Sequence, residues 1–284
     1  MGPLDAPAPA PCPAVAVDEA LRQGWFEDWY QPKLNLKRKF LAGAEVLGCI
    51  RHPRFGMLMP GDYVCEPPLD AARLTERTLH AALESWPSFE AAGFPLALAV
   101  SVPLRGILTL PIGVLVARNK PASDRWPGIV LQVKEDEIVR DLKLAAEVAS
   151  ALRQGGVKIA IDNFGAGYSS LATLRELPFD EIRLDRSFVR GCATDGPNGA
   201  ICQTAIDLAH RLNRVAAAQG IENQADLQAV MAMGCDFGQG DLISPALSRA
   251  QFLDLLHERV SRPSRQPGDS APSPASVGVI DRVA

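Results

Sequence analysis

CxxC spacing is missing from this chain. Its six cysteines, at positions 12, 49, 65, 192, 202 and 235, form no such pair, and no paired-histidine motif accompanies them. That excludes the common zinc frameworks and argues for reduced thiols rather than a disulfide scaffold. No apolar run approaches the roughly 20 residues of a membrane span. The opening stretch MGPLDAPAPAPCPA lacks the basic region and apolar core of a signal peptide. A large charge excess is also absent: the formal net charge is -4, which gives no reason to expect nucleic acid or an anionic membrane as partner. A soluble, cytoplasmic protein is the expectation.

What is present suits one large domain. Of the 284 residues, 47% are apolar and 22% charged, enough for a substantial core. The Pro/Ala-rich residues 1–17 and the Pro/Ser-rich residues 259–284 are expected to be disordered, leaving a domain over residues 18–258. Within it, helical and strand patterns alternate. DEALRQGWFEDWY has helical spacing from a cap at Asp18, and LDAARLTERTLHAALESW is an amphipathic helix followed by the strand FPLALAVSV. The strand GIVLQV precedes the helix EIVRDLKLAAEVASALRQGG, and VKIAID is the next strand. SSLATLRELP reads as a helix stopped by Pro178, EIRLD as a strand and GAICQTAIDLAHRLN as a helix. A weak strand, RVAAAQGIE, and the helices QADLQAVMAMGC and FLDLLHERV complete the series.

Strands separated by helices of this length imply parallel pairing through right-handed crossovers. Seven or eight such units in about 240 residues predict a closed (β/α) barrel. An open doubly wound sheet is the alternative, and the absence of a GxGxxG turn after the first strand speaks against it. In a barrel the strand C-termini face the site. Glu45, Ser101, Gln132, Asp162, Asn163, Arg183, Gln219, Glu222 and Gln239 fall at those ends.

These residues lie in stretches that resemble a known family. YQPKLNL, GAEVLGCIRHPRFGMLMPGDYV, DNFGAGYSSLATLRELPFDEIRLDRSFV and AQGIENQADLQAVMAMGCDFGQGDL, in that order, are similar to the EAL domain, the cyclic di-GMP phosphodiesterase family. The resemblance implies a TIM-like α/β barrel of EAL type, often dimerising, in bacterial second-messenger signalling. It also implies a site in which two divalent ions, Mg²⁺ or Mn²⁺, activate water.

Carried over residue by residue, that site is depleted. The resemblance assigns Glu45 and Asp162 as remaining metal ligands, while Ser101, Gln132 and Asn163 occupy the other ligand positions. Four carboxylates become two, against two dications that want charged oxygen ligands. Arg183 stands at the family's catalytic lysine, and arginine does not give up its proton. Gln219 replaces the glutamate that would take a proton, and an amide cannot. Glu135 matches the residue that supports the loop after Asp162. Of the nucleotide contacts the resemblance implies, Gln31, Leu47, Glu222 and Gln239 are retained. Cys49, Asp241 and Pro245 replace an arginine, an aromatic residue and a second arginine, removing cations that would meet phosphate.

The reading that follows is a degenerate, catalytically silent EAL-type module acting in regulation by binding a signalling protein or a second copy of itself, with weak cyclic di-GMP binding at most. A non-hydrolysing cyclic di-GMP receptor is the second reading, and an active metal-dependent phosphodiesterase the third. No cofactor is expected, or a residual Mg²⁺ or Mn²⁺ site. No phosphoacceptor, GGDEF-type or sensory domain is legible in the chain.

Overall fold

The run Val157–Phe164, VKIAIDNF, is buried along most of its length, as a parallel strand covered on both faces must be. It belongs to a closed barrel of eight strands in a computed structural model that describes residues 14–15, 17–65, 69–153, 155–165, 174–175 and 177–261. The barrel strands are β1 (Phe26–Asn35), β2 (Phe40–His52), β3 (Ala97–Ser101), β4 (Ile129–Lys134), β5 (Val157–Phe164), β6 (Glu181–Leu184), β7 (Val215–Ala218) and β8 (Phe237–Gly238). Neighbours from β2 to β8 pair in parallel, and β1 closes the ring by pairing antiparallel with both β8 and β2.

The expected TIM-like barrel is therefore present, with one departure: parallel pairing does not extend to β1. Strands β1 and β2 form a hairpin. The Asn35 side chain accepts from the Arg38 amide at 2.8 Å, and Lys39 takes a left-handed φ of 56°. Such a turn needs no crossover helix, so the first strand runs against the rest.

Several boundaries also move. Residues 18–30 are not one helix: the helix covers Val17–Arg22, Gly24 turns the chain at φ 67°, and β1 begins at Phe26. Asp18 lies inside the first turn rather than at the cap. Ala14–Val15 pair with Val64–Cys65 and Val17 is fully buried, so ordered structure starts ahead of residue 18. The last helix, Arg249–Ser261, runs past residue 258. The helix expected over 137–156 divides into Glu135–Arg140 and Leu142–Arg153. Two helices, Leu104–Thr109 and Ile112–Asn119, were not anticipated. Most of SSLATLRELP lies outside the described residues, as do nearly all of the two tails.

Helices pack around the ring, and the main core lies between them and the outward-facing strand residues, among them Ile129, Leu131, Ile159, Ile161, Ile182 and Leu184. The residues between them point inward. Ala99, Val130 and Ala160 form a separate apolar cluster. Each stands two positions before Ser101, Gln132 or Asp162, so strand alternation puts all six on the inner face. The interior thus has a small-residue floor beneath a polar layer.

Candidate active site

Arg183 sits in the middle of that polar layer and is 2% exposed. It comes from β6, EIRL, in which every residue is buried: Ile182 and Leu184 face the helices, so Glu181 and Arg183 face the barrel interior. Its Nη2 donates to Glu45 Oε2 on β2 at 2.6 Å and to Gln239 Oε1 at 3.3 Å. Its Nη1 lies 3.2 Å from Asp162 Oδ1 on β5. That contact is coulombic: Nη1 is buried without a hydrogen-bond acceptor. Burial opposes the guanidinium charge, but the carboxylates of Glu45, Asp162 and Glu181 outweigh it and hold the pKa above the ordinary arginine range.

The surrounding amides and hydroxyl complete the network. Gln239 Nε2 donates to Gln31 Oε1 at 2.8 Å and to Glu45 Oε2 at 3.0 Å. Ser101 Oγ donates to Gln132 Oε1 at 3.0 Å and reaches Glu45 Oε1 at 3.3 Å. Gln219 Nε2 donates to Asp162 Oδ1 at 2.5 Å. Gln31 also meets Asp241 Oδ1 at 3.4 Å. Eight of the residues expected at the strand ends or in the nucleotide site therefore form one connected network: Gln31, Glu45, Ser101, Gln132, Asp162, Arg183, Gln219 and Gln239.

Four others stand apart. Glu135 is buried and accepts from the Gly165 amide at 3.0 Å, where Gly165 has φ 99° and a Cβ on it would fall 3.0 Å from the Phe188 ring. Leu47 is half-buried on β2, opposite Trp29. Asn163 takes φ 55° inside β5, at the irregularity between Ile161 and Phe164 in the pairing with β6. Glu222 is paired with Arg190 at the surface rather than with the network. Cys49, on the same strand face as Glu45 and Leu47, is fully buried with Sγ 3.4 Å from Met59 Sδ; burial pushes its thiol up to about 12.

One functional neighbour escaped the reading of the sequence. Lys33 and Glu181 form a buried ion pair at 2.5 Å directly beneath the network, with Lys33 Nζ 4.8 Å from the Phe237 ring centroid. Lys33 is two residues from Gln31 and Glu181 two from Arg183. The period-2 alternation of a strand carried that signal.

The arrangement makes an internally neutralised centre. Two carboxylates, Glu45 and Asp162, share one buried guanidinium, and neutral amides add to it: Gln239 donates to Glu45 Oε2 and Gln219 to Asp162 Oδ1. Among the described residues no group of three or more His, Cys, Asp or Glu side chains is placed to hold a metal ion.

The comparisons with known proteins agree with this architecture. The EAL domain matches residues 14–246. The chain is 32% identical over 232 residues to the cyclic di-GMP phosphodiesterase PA2567 of Pseudomonas aeruginosa, covering 80% of this chain and 39% of that protein. It is 31% identical over 245 residues to the cyclic di-GMP phosphodiesterase RocR of the same organism, covering 84% of this chain and 62% of that protein. It thus spans less than two thirds of the length of either relative. Among solved structures, the PaMucR phosphodiesterase in complex with c-di-GMP superposes with a TM-score of 0.75 at 27% identity, over 83% of this chain and 97% of that one. The chain belongs to the EAL domain family.

Proposed function

We propose that this EAL domain is a regulatory or protein-interaction module of cyclic di-GMP-linked signalling that does not hydrolyse the nucleotide. One observation carries the reading: the Arg183 guanidinium occupies the space between Glu45 and Asp162, 2.6 Å from one and 3.2 Å from the other. A pair of divalent ions does not fit these side chains. The cation would have to displace a buried arginine and would then meet Ser101, Gln132 and Asn163 in place of further carboxylates, while hard dications want charged oxygens. No proton acceptor offsets this, because Gln219 spends its amide on Asp162 at 2.5 Å.

A second reading, a non-hydrolysing cyclic di-GMP receptor, draws support from Gln31 and Gln239, which are held together at 2.8 Å on the open end of the barrel. Against it, Glu222 is engaged by Arg190, and Asp241 adds negative charge beside Gln31. We place this reading second.

The test is a thermal-shift titration with cyclic di-GMP, with and without Mn²⁺, followed by product analysis of the same samples. No shift and no product supports the interaction module. A shift without product makes the protein a receptor. Linear dinucleotide above background, absent in a Glu45→Ala control, makes it an enzyme and overturns the proposal.

A further inference from the structure

The end of the barrel opposite the candidate site carries a charge that the whole-chain average hides. At this end the β1–β2 hairpin presents Lys37, Arg38 and Lys39 in succession, all exposed. The hairpin is tied to the start of β8, since Leu36 donates to the Asp236 carbonyl and Lys37 pairs with the Asp236 carboxylate at 2.5 Å. Beside it lie Arg211 and Arg214, at and just beyond the end of the helix Gly196–Arg211 that leads into β7; the Arg214 guanidinium stands 5.6 Å from the Phe179 ring centroid. Lys158, exposed at the start of β5, continues the arc.

Six cations thus face the carboxylates of Asp180 and Asp236, and both of those are engaged. Asp236 takes Lys37, His210 and the Ala216 amide, and Asp180 caps the Ile159 amide. Arg38, Lys39, Lys158 and Arg211 enter no ion pair among the described residues. At the hairpin tip the cations adjoin Phe40, which is 45% exposed while its neighbour Leu41 is 5% exposed.

We propose that this strand-N-terminal end of the barrel is a docking face for an anionic lipid bilayer. Three features favour a bilayer over other polyanions. The cations are spread over the end of a barrel rather than along a groove that would track a nucleic-acid backbone. Three of them, Lys37, Arg38 and Lys39, directly precede the exposed Phe40, an apolar side chain of the kind that interfacial segments bury at the headgroup boundary. The hairpin projects backbone and side chains together, so Phe40 enters the interface while Arg38 and Lys39 remain among the headgroups. Docked this way, the protein keeps the polar layer around Arg183 turned toward solvent, at the far end of the strands. The proposal is independent of whether the domain binds nucleotide.

The test is cosedimentation of the full chain with vesicles of phosphatidylcholine alone and with about a third phosphatidylglycerol, at low and physiological salt. The wild type is expected to partition onto the anionic vesicles only, and less so as salt rises. Arg38→Glu with Lys39→Glu should lower that partitioning by at least about tenfold, while the far-UV spectrum and melting temperature stay unchanged. Phe40→Ala should lower it several-fold without altering the salt dependence. Equal binding to neutral vesicles, no binding to anionic ones, or full binding by the charge-reversed variant would overturn the proposal. So would capture of a duplex oligonucleotide by a chain that ignores anionic vesicles, which would make the face a nucleic-acid surface.

Discussion

Arg183 donates to Glu45 at 2.6 Å across the inside of the barrel, from a strand and a partner strand separated by 138 residues in sequence. The contact joins two residues whose burial would each be costly alone. An unpaired ion in a protein interior costs several kcal/mol even after relaxation, and a partner with good geometry offsets that cost. Arg183 offers the same compensation to Asp162, so one guanidinium balances two carboxylates.

Removing that guanidinium should therefore be expensive. Arg183→Ala leaves Glu45 and Asp162 buried and uncompensated, and a loss of about 3–5 kcal/mol is expected in urea denaturation. Adding Glu45→Gln and Asp162→Asn to the same chain should return much of the loss, because the stranded charges are then gone. Mn²⁺ offers a second readout. It should raise the melting temperature of Arg183→Ala, whose two carboxylates stand free, and leave the wild type nearly unmoved. A wild type that Mn²⁺ stabilises as strongly as the variant would show that Arg183 yields its place to metal.

The amide at position 219 makes a sharper demand on pH. Gln219 donates to Asp162 at 2.5 Å, so Gln219→Glu would set two carboxylates against each other. Like charges at that separation raise the folded-state pKa of one of them. A folded value raised above the unfolded one contributes stability at low pH that is lost as pH rises through it. Gln219→Glu should hence be less stable than wild type by about 1–3 kcal/mol at pH 7, and the gap should narrow toward pH 5. Melting curves across that range check it; a gap that stays constant would mean the new carboxylate turns away from Asp162.

Glu135 acts on the backbone rather than on the centre. Its carboxylate accepts from the Gly165 amide where the chain leaves β5 in a left-handed conformation. Glu135→Ala should cost about 1–3 kcal/mol and speed exchange of the Gly165 amide, while Glu135→Gln, which keeps an acceptor oxygen, should preserve most of the protection. Equal exchange in the two variants would argue against this hydrogen bond as the anchor.

Legibility in the sequence followed the strength of each local signal. VKIAID and the long amphipathic run from Leu69 announced themselves by an aliphatic run and a 3.6-residue stripe, and EIRLD by the alternation of Ile182 and Leu184 with Glu181 and Arg183. The segment from Asp18 to Tyr30 misled, since Trp25, Phe26, Trp29 and Tyr30 are spaced as on a helix. In the structure Gly24 breaks the helix first and those aromatics enter a strand and its approach. The antiparallel direction of β1 had no periodic signature at all; it rests on a four-residue turn. The site divides in the same way. Which residues stand at the strand ends could be read from strand position, and the EAL resemblance named their family roles. That Arg183 reaches Glu45 and Asp162 together depends on the closure of the ring, which no local pattern encodes. Next to Gln239 the chain packs tightly on Ile221: Gly240 has φ 155°, and a Cβ on it would fall 2.2 Å from the Ile221 nitrogen.

Asp236 gives a pH-dependent test away from the site. Its carboxylate meets Lys37 at 2.5 Å, His210 at 2.8 Å and the Ala216 amide at 2.9 Å. Burial pushes its pKa up, but Lys37, the Ala216 amide and His210 together hold it below the ordinary value of 3.8. A folded value depressed in this way contributes stability that is present above the unfolded pKa and lost as pH falls through the folded one. Asp236→Asn keeps the size and one acceptor oxygen but not the charge, so about 1–2 kcal/mol should be lost at pH 7. The difference from wild type should shrink as pH drops below 4, where the wild-type carboxylate begins to take up its proton. Urea denaturation of both proteins at pH 7 and near pH 3 measures it. A difference that persists undiminished at the lower pH would show that Asp236 stabilises the hairpin by shape and not by charge.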